Sequence, residues 1–333
     1  MTWQDKALIM LGDINVDTIW PVAAIPKPGR DGLVDTVKME AGGAILNSTI
    51  MLDRLGMKTR LLGCVGEDIW AAYLRDALSS TQIDLSAVQT TQIENTGLDF
   101  ILVTPDGERT MFGYRGANKL LDPEKINPSI FENAALLHIS GYAFLESPQR
   151  DAVWRAIELA NDRDVPISLD TGLEPVMREN EVFRRVLPML TICITGLAEV
   201  DHLLGATTAQ EAAEKLQKIG VSLVAIKMGG KGSLLLNQGN ITKCPPFDVG
   251  EVDTTGAGDA YSAGIIAGYT LGLSSAAMGM LASALGAMAV MVEGAGFSLP
   301  KRSALLTFLD DADWPDGKEM KLARSELIQR FHA

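Results

Sequence analysis

Short apolar, β-branched runs alternate along most of the chain with amphipathic stretches of helical period, and this order constrains the fold more than any other feature. Ala7–Leu11, Leu61–Val65, Ala135–Ile139, Ile167–Leu169, Ile192–Ile194 and Leu223–Ile226 read as strands. The spacing predicts helices at Ala44–Leu55, Ile69–Leu78, Pro148–Asn161 and Ala209–Ile219, and two more between Ala260 and Val292. Strand and helix repeated in this way bury their apolar faces as a mostly parallel sheet covered on both sides, so the expected class is α/β with three layers, α/β/α. Two places break the pattern. Leu33–Met39 follows a Pro/Gly-rich loop, and Leu98–Val103 with Thr110–Tyr114 flanks Pro105-Asp106-Gly107, a hairpin turn signal. These segments predict a small separate sheet, placed to cover a ligand.

The organisation that follows is one principal domain over residues 1–310, with lid strands from about 14–40 and 96–118, and a polar C-terminal extension at 311–333. A formal charge of -13, without an offsetting cluster of Lys and Arg, argues against a nucleic-acid partner. From Ala260 to Val292 there is no charged residue, and Gly264, Gly268 and Gly272 recur every fourth position as in a membrane packing motif. Gly272-Leu273-Ser274-Ser275 divides that run with a helix stop and an N-cap, so two helices buried in a soluble core are expected and no membrane span. The N-terminus, with Asp5 and Lys6 before a short strand, lacks the pattern of a signal peptide, which points to a cytoplasmic location. Cys64, Cys193 and Cys244 lie far apart and read as buried thiols; His138, His202 and His332 form no metal-ligand spacing.

Chemistry concentrates in Asp253-Thr254-Thr255-Gly256-Ala257-Gly258-Asp259, immediately before an apolar helix. A helix start offers unpaired N–H groups and the positive end of a dipole, and small residues let a phosphate approach them. Phosphoryl transfer requires alignment, charge stabilisation and a base, so a carboxylate beside such an anion hole has a natural role. An aspartate here serves equally well as an N-cap, and both readings stand at this point. Neither the P-loop pattern nor a dinucleotide fingerprint occurs, which excludes a nucleotide-linked oxidoreductase of the usual kind. A second constellation closes the first strand at Gly12-Asp13-Ile14-Asn15-Val16-Asp17 and opens the next helix at Gly42-Gly43-Ala44-Ile45-Leu46-Asn47, combining carboxylates and amides for vicinal hydroxyls with glycines for close backbone contact.

Taken in order, Gly12-Asp13, the GGxxxN segment at Gly42–Asn47, Arg54-Leu55-Gly56, Gly63–Asp68, the DTTGAGD heptad and Gly294-Ala295 resemble the ribokinase-like, or PfkB, carbohydrate kinase family over nearly the whole chain. The resemblance implies a ribokinase-like fold with a β-sheet lid, and transfer of a phosphoryl group from ATP to a hydroxyl of a free sugar or sugar-like molecule. It makes Asp259 the base and Gly256, Ala257 and Gly258 the anion hole. Asn15, Asp17, Gly42, Gly43 and Asn47 would hold the acceptor, and Lys227, Gly229, Gly232 and Ser283 the nucleotide. Glu199 would organise Mg2+ through water, and Asp253, Thr255, Gly294 and Ser298 match loops that hold K+ in many members. Departures fall at Gly196, where the family's Asn-x-x-Glu begins, at Gly141 and Ala44-Ile45, and at Asp170-Thr171-Gly172-Leu173. The resemblance leaves two alternatives, a nucleoside kinase and a non-catalytic sugar- or nucleotide-binding regulator. Arg115 is the one base placed to serve a phosphosugar, and the strand Leu98–Val103 offers an edge through which two lids could pair into a homodimer.

Overall fold

The computed structural model describes residues 6–105 and 108–332, so Asp106 and Gly107 of the expected hairpin turn lie outside the described residues. The strands are β1 (Ala7–Leu11), β2 (Asn15–Pro21), β3 (Lys38–Gly42), β4 (Thr59–Gly66), β5 (Val88–Thr91), β6 (Gly97–Val103), β7 (Arg109–Tyr114), β8 (Ala134–Ser140), β9 (Ile167–Asp170), β10 (Ile192–Gly196), β11 (Leu223–Lys227), β12 (Ser233–Asn237) and β13 (Asn240–Cys244). The helices are α1 (Ala44–Arg54), α2 (Ile69–Leu78), α3 (Gln149–Asn161), α4 (Leu173–Arg178), α5 (Asn180–Val186), α6 (Leu197–Leu204), α7 (Ala209–Ile219), α8 (Ala257–Leu271), α9 (Ser275–Val290), α10 (Arg302–Asp311) and α11 (Lys318–His332).

Nine strands form the central sheet in the order β13-β12-β11-β10-β9-β8-β1-β4-β5, parallel except for β12 and β13, which return as an antiparallel hairpin at one edge. Alternation along β1 explains the layering: Leu8 and Met10 join a core under α1, α2 and α8–α11, whereas Ile9 and Leu11 join one under α3 and α7. Both faces are buried, as the ribokinase-like three-layer expectation requires. The chain leaves β1 towards β4 on one side and reaches β8 on the other, so the strand order reverses beside β1. Loops at the carboxyl ends of parallel strands next to such a reversal open into a crevice.

The second sheet, β3-β2-β6-β7, is tied to the loop before α8 by Arg109 on Asp253 and to the loop after α9 by Glu40 with Ala295 and Ser298. Its first segment differs from expectation. Residues Leu33–Val37 are irregular, with Leu33 96% exposed, and the strand forms at Lys38–Gly42 where the backbone meets β2 in register Asp17↔Glu40. Gly12–Asp17 likewise does not extend β1: the chain turns after Leu11, and Asn15 opens β2 in the lid. β6 is paired on both sides, by β2 and β7, so Leu98–Val103 presents no free edge for a second copy.

The uncharged run divides at Gly272 as expected, into α8 and α9, and no helix among the described residues is long and apolar enough to cross a membrane. α11 lays Met320, Ala323, Leu327 and Phe331 onto the core shared with α9, so the C-terminal segment is part of the packed body. The three cysteines are buried and free.

α8 approaches α9 closely because glycine stands where a side chain would collide. A Cβ on Gly264 would lie 2.4 Å from Ala282 Cα and 2.8 Å from its nitrogen, atoms of a backbone that cannot rotate away. Gly264→Ala is therefore expected to destabilise the protein by about 1–3 kcal/mol through overpacking. Gly250→Ala, with nothing within 4 Å, is the matched control. Thermal unfolding measures both, and an unchanged Tm for Gly264→Ala would contradict this packing.

Candidate active site

The heptad closes on α8. Gly256 is its N-cap at φ 72°, a left-handed conformation that glycine adopts without strain, and Asp259 stands in the first helical turn. Asp259 is thus not the N-cap, and its carboxylate does not bond to its own helix. Asn47 Nδ2 donates to Asp259 Oδ2 at 2.8 Å, and Ser48 Oγ donates to the Asp259 carbonyl at 3.0 Å. The Ala257 N–H turns back to the Thr254 carbonyl at 3.3 Å, whereas the N–H groups of Gly256, Gly258 and Asp259 have no partner among the described residues. Three unpaired amides beside a carboxylate make an anion site with a base at its rim. Burial is the main cause raising the Asp259 pKa to about 6; the negative Asp170 adds to it, while the Asn47 hydrogen bond and Lys227 oppose it.

A cleft of about 550 Å³ opens from this helix start, lined by Lys227, Gly229, Gly232, Val249, Gly258 and Ser283 among others. The four residues expected to line a nucleotide therefore meet in one space with the anion site. Lys227, at the end of β11, donates to both oxygens of Asp170 at 2.8 and 3.0 Å, and Ser262 of α8 donates to Asp170 Oδ2 at 2.6 Å. Burial alone would lower the Lys227 pKa, but Asp170 holds the ammonium charged and its pKa raised. Asp170 went unnoticed as a site residue in the sequence; its position at a strand end, one residue after the expected strand Ile167–Leu169, was the available signal.

Of the residues expected to hold an acceptor, Asn47 bonds Asp259 directly and Asp17 lies within its electrostatic reach. Asp17 projects from β2 onto Gly42, so closely that a Cβ there would lie 2.0 Å from Asp17 Oδ1. Asn47 Oδ1 accepts the Gly296 N–H at 3.0 Å, which ties α1 to the loop after α9. Asn15 is held on both sides, accepting from Asn118 Nδ2 at 2.7 Å and donating to Asp99 Oδ2 at 2.7 Å. Gly43 caps α1 at φ 90°. Arg115 is not available to a phosphosugar: it is bound to both oxygens of Asp13 at 2.9 and 3.0 Å, and further to Glu146 and Gln149.

The metal-associated residues are more fully occupied than expected. Asp253, Thr255, Gly294 and Ser298 do lie together. Asp253 accepts from the Thr255 N–H and hydroxyl and from the Gly294 N–H, and pairs with the Arg109 guanidinium at 2.9 Å. Ser298 donates to Glu40 Oε1, whose partner oxygen accepts from the Ala295 N–H. With Arg109 supplying the positive charge at Asp253, this arrangement does not fit a bound potassium ion. Glu199 Oε2 accepts from the Gly196 N–H at 2.8 Å and from Thr195 and Thr171. A Cβ at position 196 would come within 2.8 Å of Glu199 Oε1, so glycine makes room for a glutamate folded over its own helix start. Among the described residues no three His, Cys, Asp or Glu group as a metal cage. Magnesium in phosphoryl transfer needs no such cage, since phosphates with one or two carboxylates nearby usually carry it.

The three-layer architecture, the lid and a glycine-rich helix start facing a polar cup define a ribokinase-like phosphotransferase. Residues 5–302 match the pfkB family of carbohydrate kinases, and the chain belongs to that family as a kinase. A ribokinase from Haemophilus influenzae is 27% identical over 315 residues, covering 92% of this chain and 99% of its own. An ATP-dependent ribose-1-phosphate kinase from Halopiger xanaduensis is 27% identical over 91% of this chain and 98% of its own. The structure of Arabidopsis thaliana ribokinase complexed with ribose and ATP superposes with a TM-score of 0.79 at 26% identity, over 92% of this chain and 98% of its own.

The Lys227–Asp170 pair predicts its own test. Replacing Asp170 by Ala leaves an ammonium in a largely buried site without its carboxylate, a change that typically costs about 3 kcal/mol or more. A Tm within a degree or so of wild type would show that the pair does not hold the end of β11 to β9 and α8.

Proposed function

We propose that the chain transfers the terminal phosphoryl group of ATP to a hydroxyl of a free sugar or sugar-like small molecule, with Asp259 as the general base. The observation that carries this reading is the single point at which Asn47, the Asp259 carboxylate and the unpaired amides of Gly256, Gly258 and Asp259 meet. Asp17 and Asn47 orient the acceptor under the lid, with Gly42 leaving room for the Asp17 carboxylate and Gly43 for the Asp13 carbonyl. Asp259 takes the hydroxyl proton as the oxygen attacks; the new O–P bond forms while the bond to the ADP oxygen breaks, and ADP leaves with that electron pair. The amides face the charge that develops on the transferring group, where fixed donors in a water-poor cleft are worth most. When bound, magnesium neutralises phosphate charge, and Glu199 would hold it through water. Lys227 and Asp170 keep the floor between the two sites rigid. A regulator without catalysis has no use for a carboxylate with a raised pKa beside an open anion site.

Asp259→Asn preserves the shape and the Asn47 contact but removes the base. Turnover is expected to fall by about two to four orders of magnitude with little change in KM for ATP, and near-normal turnover would defeat the assignment. The same substitution is expected to leave Tm equal to or above wild type. A carboxyl whose folded pKa is raised destabilises the fold at neutral pH, where it must be ionised, and the amide has no such cost.

The pH profile follows from the direction of the shift. Asp259 acts only when ionised, so with its pKa at about 6 it is progressively protonated as the pH falls through that value. The wild-type kcat/KM should decline about tenfold per unit below about pH 6. An acidic limb near 4, the ordinary value for an aspartate, would contradict the geometry described here.

A further inference from the structure

Asp99 has no role in the account above, yet it faces the acceptor cup from the lid. β2 and β6 are parallel neighbours in register Asp17↔Asp99, so the two side chains project from the same face of the small sheet. Asn15 fixes Asp99 by donating to its Oδ2 at 2.7 Å. Asp17 is 6% exposed, and its Oδ1 is a buried oxygen with no partner among the described residues. That oxygen is aimed at the space above Gly42. Asp17 also shares a side-chain hydrogen bond with Asp99, and the bare oxygen that is left still needs a donor from outside the protein.

The neighbouring bases are all committed elsewhere. Arg115 is bound to Asp13, Lys227 to Asp170, Arg109 to Asp253 and Lys38 to Glu293. The remaining charges acting on this pair are negative: Glu40 and Asp259 on Asp17, and Asp13 on Asp99. Burial first, then the negative Asp99, Glu40 and Asp259, raise the Asp17 pKa well above its ordinary value; burial first, with Asp13, raises that of Asp99 against the hydrogen bonds from Asn15 and Asp17. Tyr142, which borders the cup, lies in the field of both Asp259 and Asp99.

We propose that Asp99 is a specificity-determining residue: with Asp17 it forms a carboxyl pair that grips the acceptor by hydrogen-bond donors, so the acceptor is a neutral or amine-bearing polyol and not an acid or phosphosugar. This inference rests on the acceptor cup of the proposed function, but concerns binding and not transfer. A protonated amine answers the pair best, because it brings both donors and charge. Paired hydroxyls satisfy it through donors alone. A carboxylate or phosphate in the same place meets only acceptors and like charge, which costs a buried group its partners as well as adding repulsion.

The test uses three ligands that differ only at C1: D-fructose, 1-amino-1-deoxy-D-fructose and 2-keto-D-gluconate. Their binding to the full chain is measured by calorimetry without nucleotide, at neutral pH. The amine should bind about tenfold more tightly than fructose, and the acid about a hundredfold more weakly, the scale set by charge-assisted hydrogen bonds. Asp99→Asn should bring the three within about fivefold of one another, and Asp99→Ser should do the same if the amide disturbs Asn15. Circular dichroism confirms that either variant is folded. Equal binding of the acid and fructose, an unchanged order in both folded variants, or no binding of any of the three overturns the proposal. None of these results bears on phosphoryl transfer, which stands or falls with Asp259.

Discussion

Asn47 holds the site together. Its amide donates to Asp259 in α8 and its carbonyl accepts from Gly296 beyond α9, so one buried side chain on α1 joins the first turn of α8, with its proposed base, to the loop after α9. Asn47 lies more than two hundred residues from both of its partners in the chain, and nothing local aligns them. Because a buried amide is costly unless both ends are bonded, the interaction is also selective for one arrangement of the helices. Gly264 and Gly268 serve the same end by letting α8 lie close on α9, which sets where the first turn of α8 points.

Around that joint the protein concentrates negative charge that it does not fully neutralise. Asp13, Asp170 and Asp253 each have a base, and these pairs are structural. Asp17, Asp99 and Asp259 have none, and burial is the leading cause of a raised pKa in each. The division separates groups that hold the scaffold from groups free to meet a ligand. Residues kept at an energetic disadvantage in the empty protein are characteristic of functional sites, where the ligand supplies the missing partner.

Much of this was legible before any coordinates. Helices Ile69–Leu78 and Ala209–Ile219 appear with the expected bounds, since each carries a side-chain N-cap, Asp68 and Thr208, and a clear apolar face. The heptad and the GGxxxN segment marked the cleft because small residues and carboxylates at element ends have few other uses. What escaped was cross-chain. Leu33–Met39 contains apolar residues but no partner, and the strand forms instead where Lys38–Gly42 finds β2. Asp99 and Arg109 look like ordinary lid residues until strand register places one beside Asp17 and the other on Asp253. The cation loop was likewise visible in the sequence, but not the fact that a guanidinium from β7 reaches Asp253. The β12–β13 hairpin was missed because its strands follow β11 without an intervening helix, against the alternation that governs the rest.

Transfer as proposed requires that the acceptor hydroxyl, Asp259 and the amides at the start of α8 share one line. A crystal structure with ADP, aluminium fluoride and an acceptor that is turned over tests it most directly. The acceptor oxygen is expected within hydrogen-bond reach of the Asp259 carboxylate, about 2.6–3.2 Å, and the fluoride bound by the amides of Gly256, Gly258 and Asp259. A fluoride held elsewhere, or an acceptor oxygen facing a different base, would contradict it.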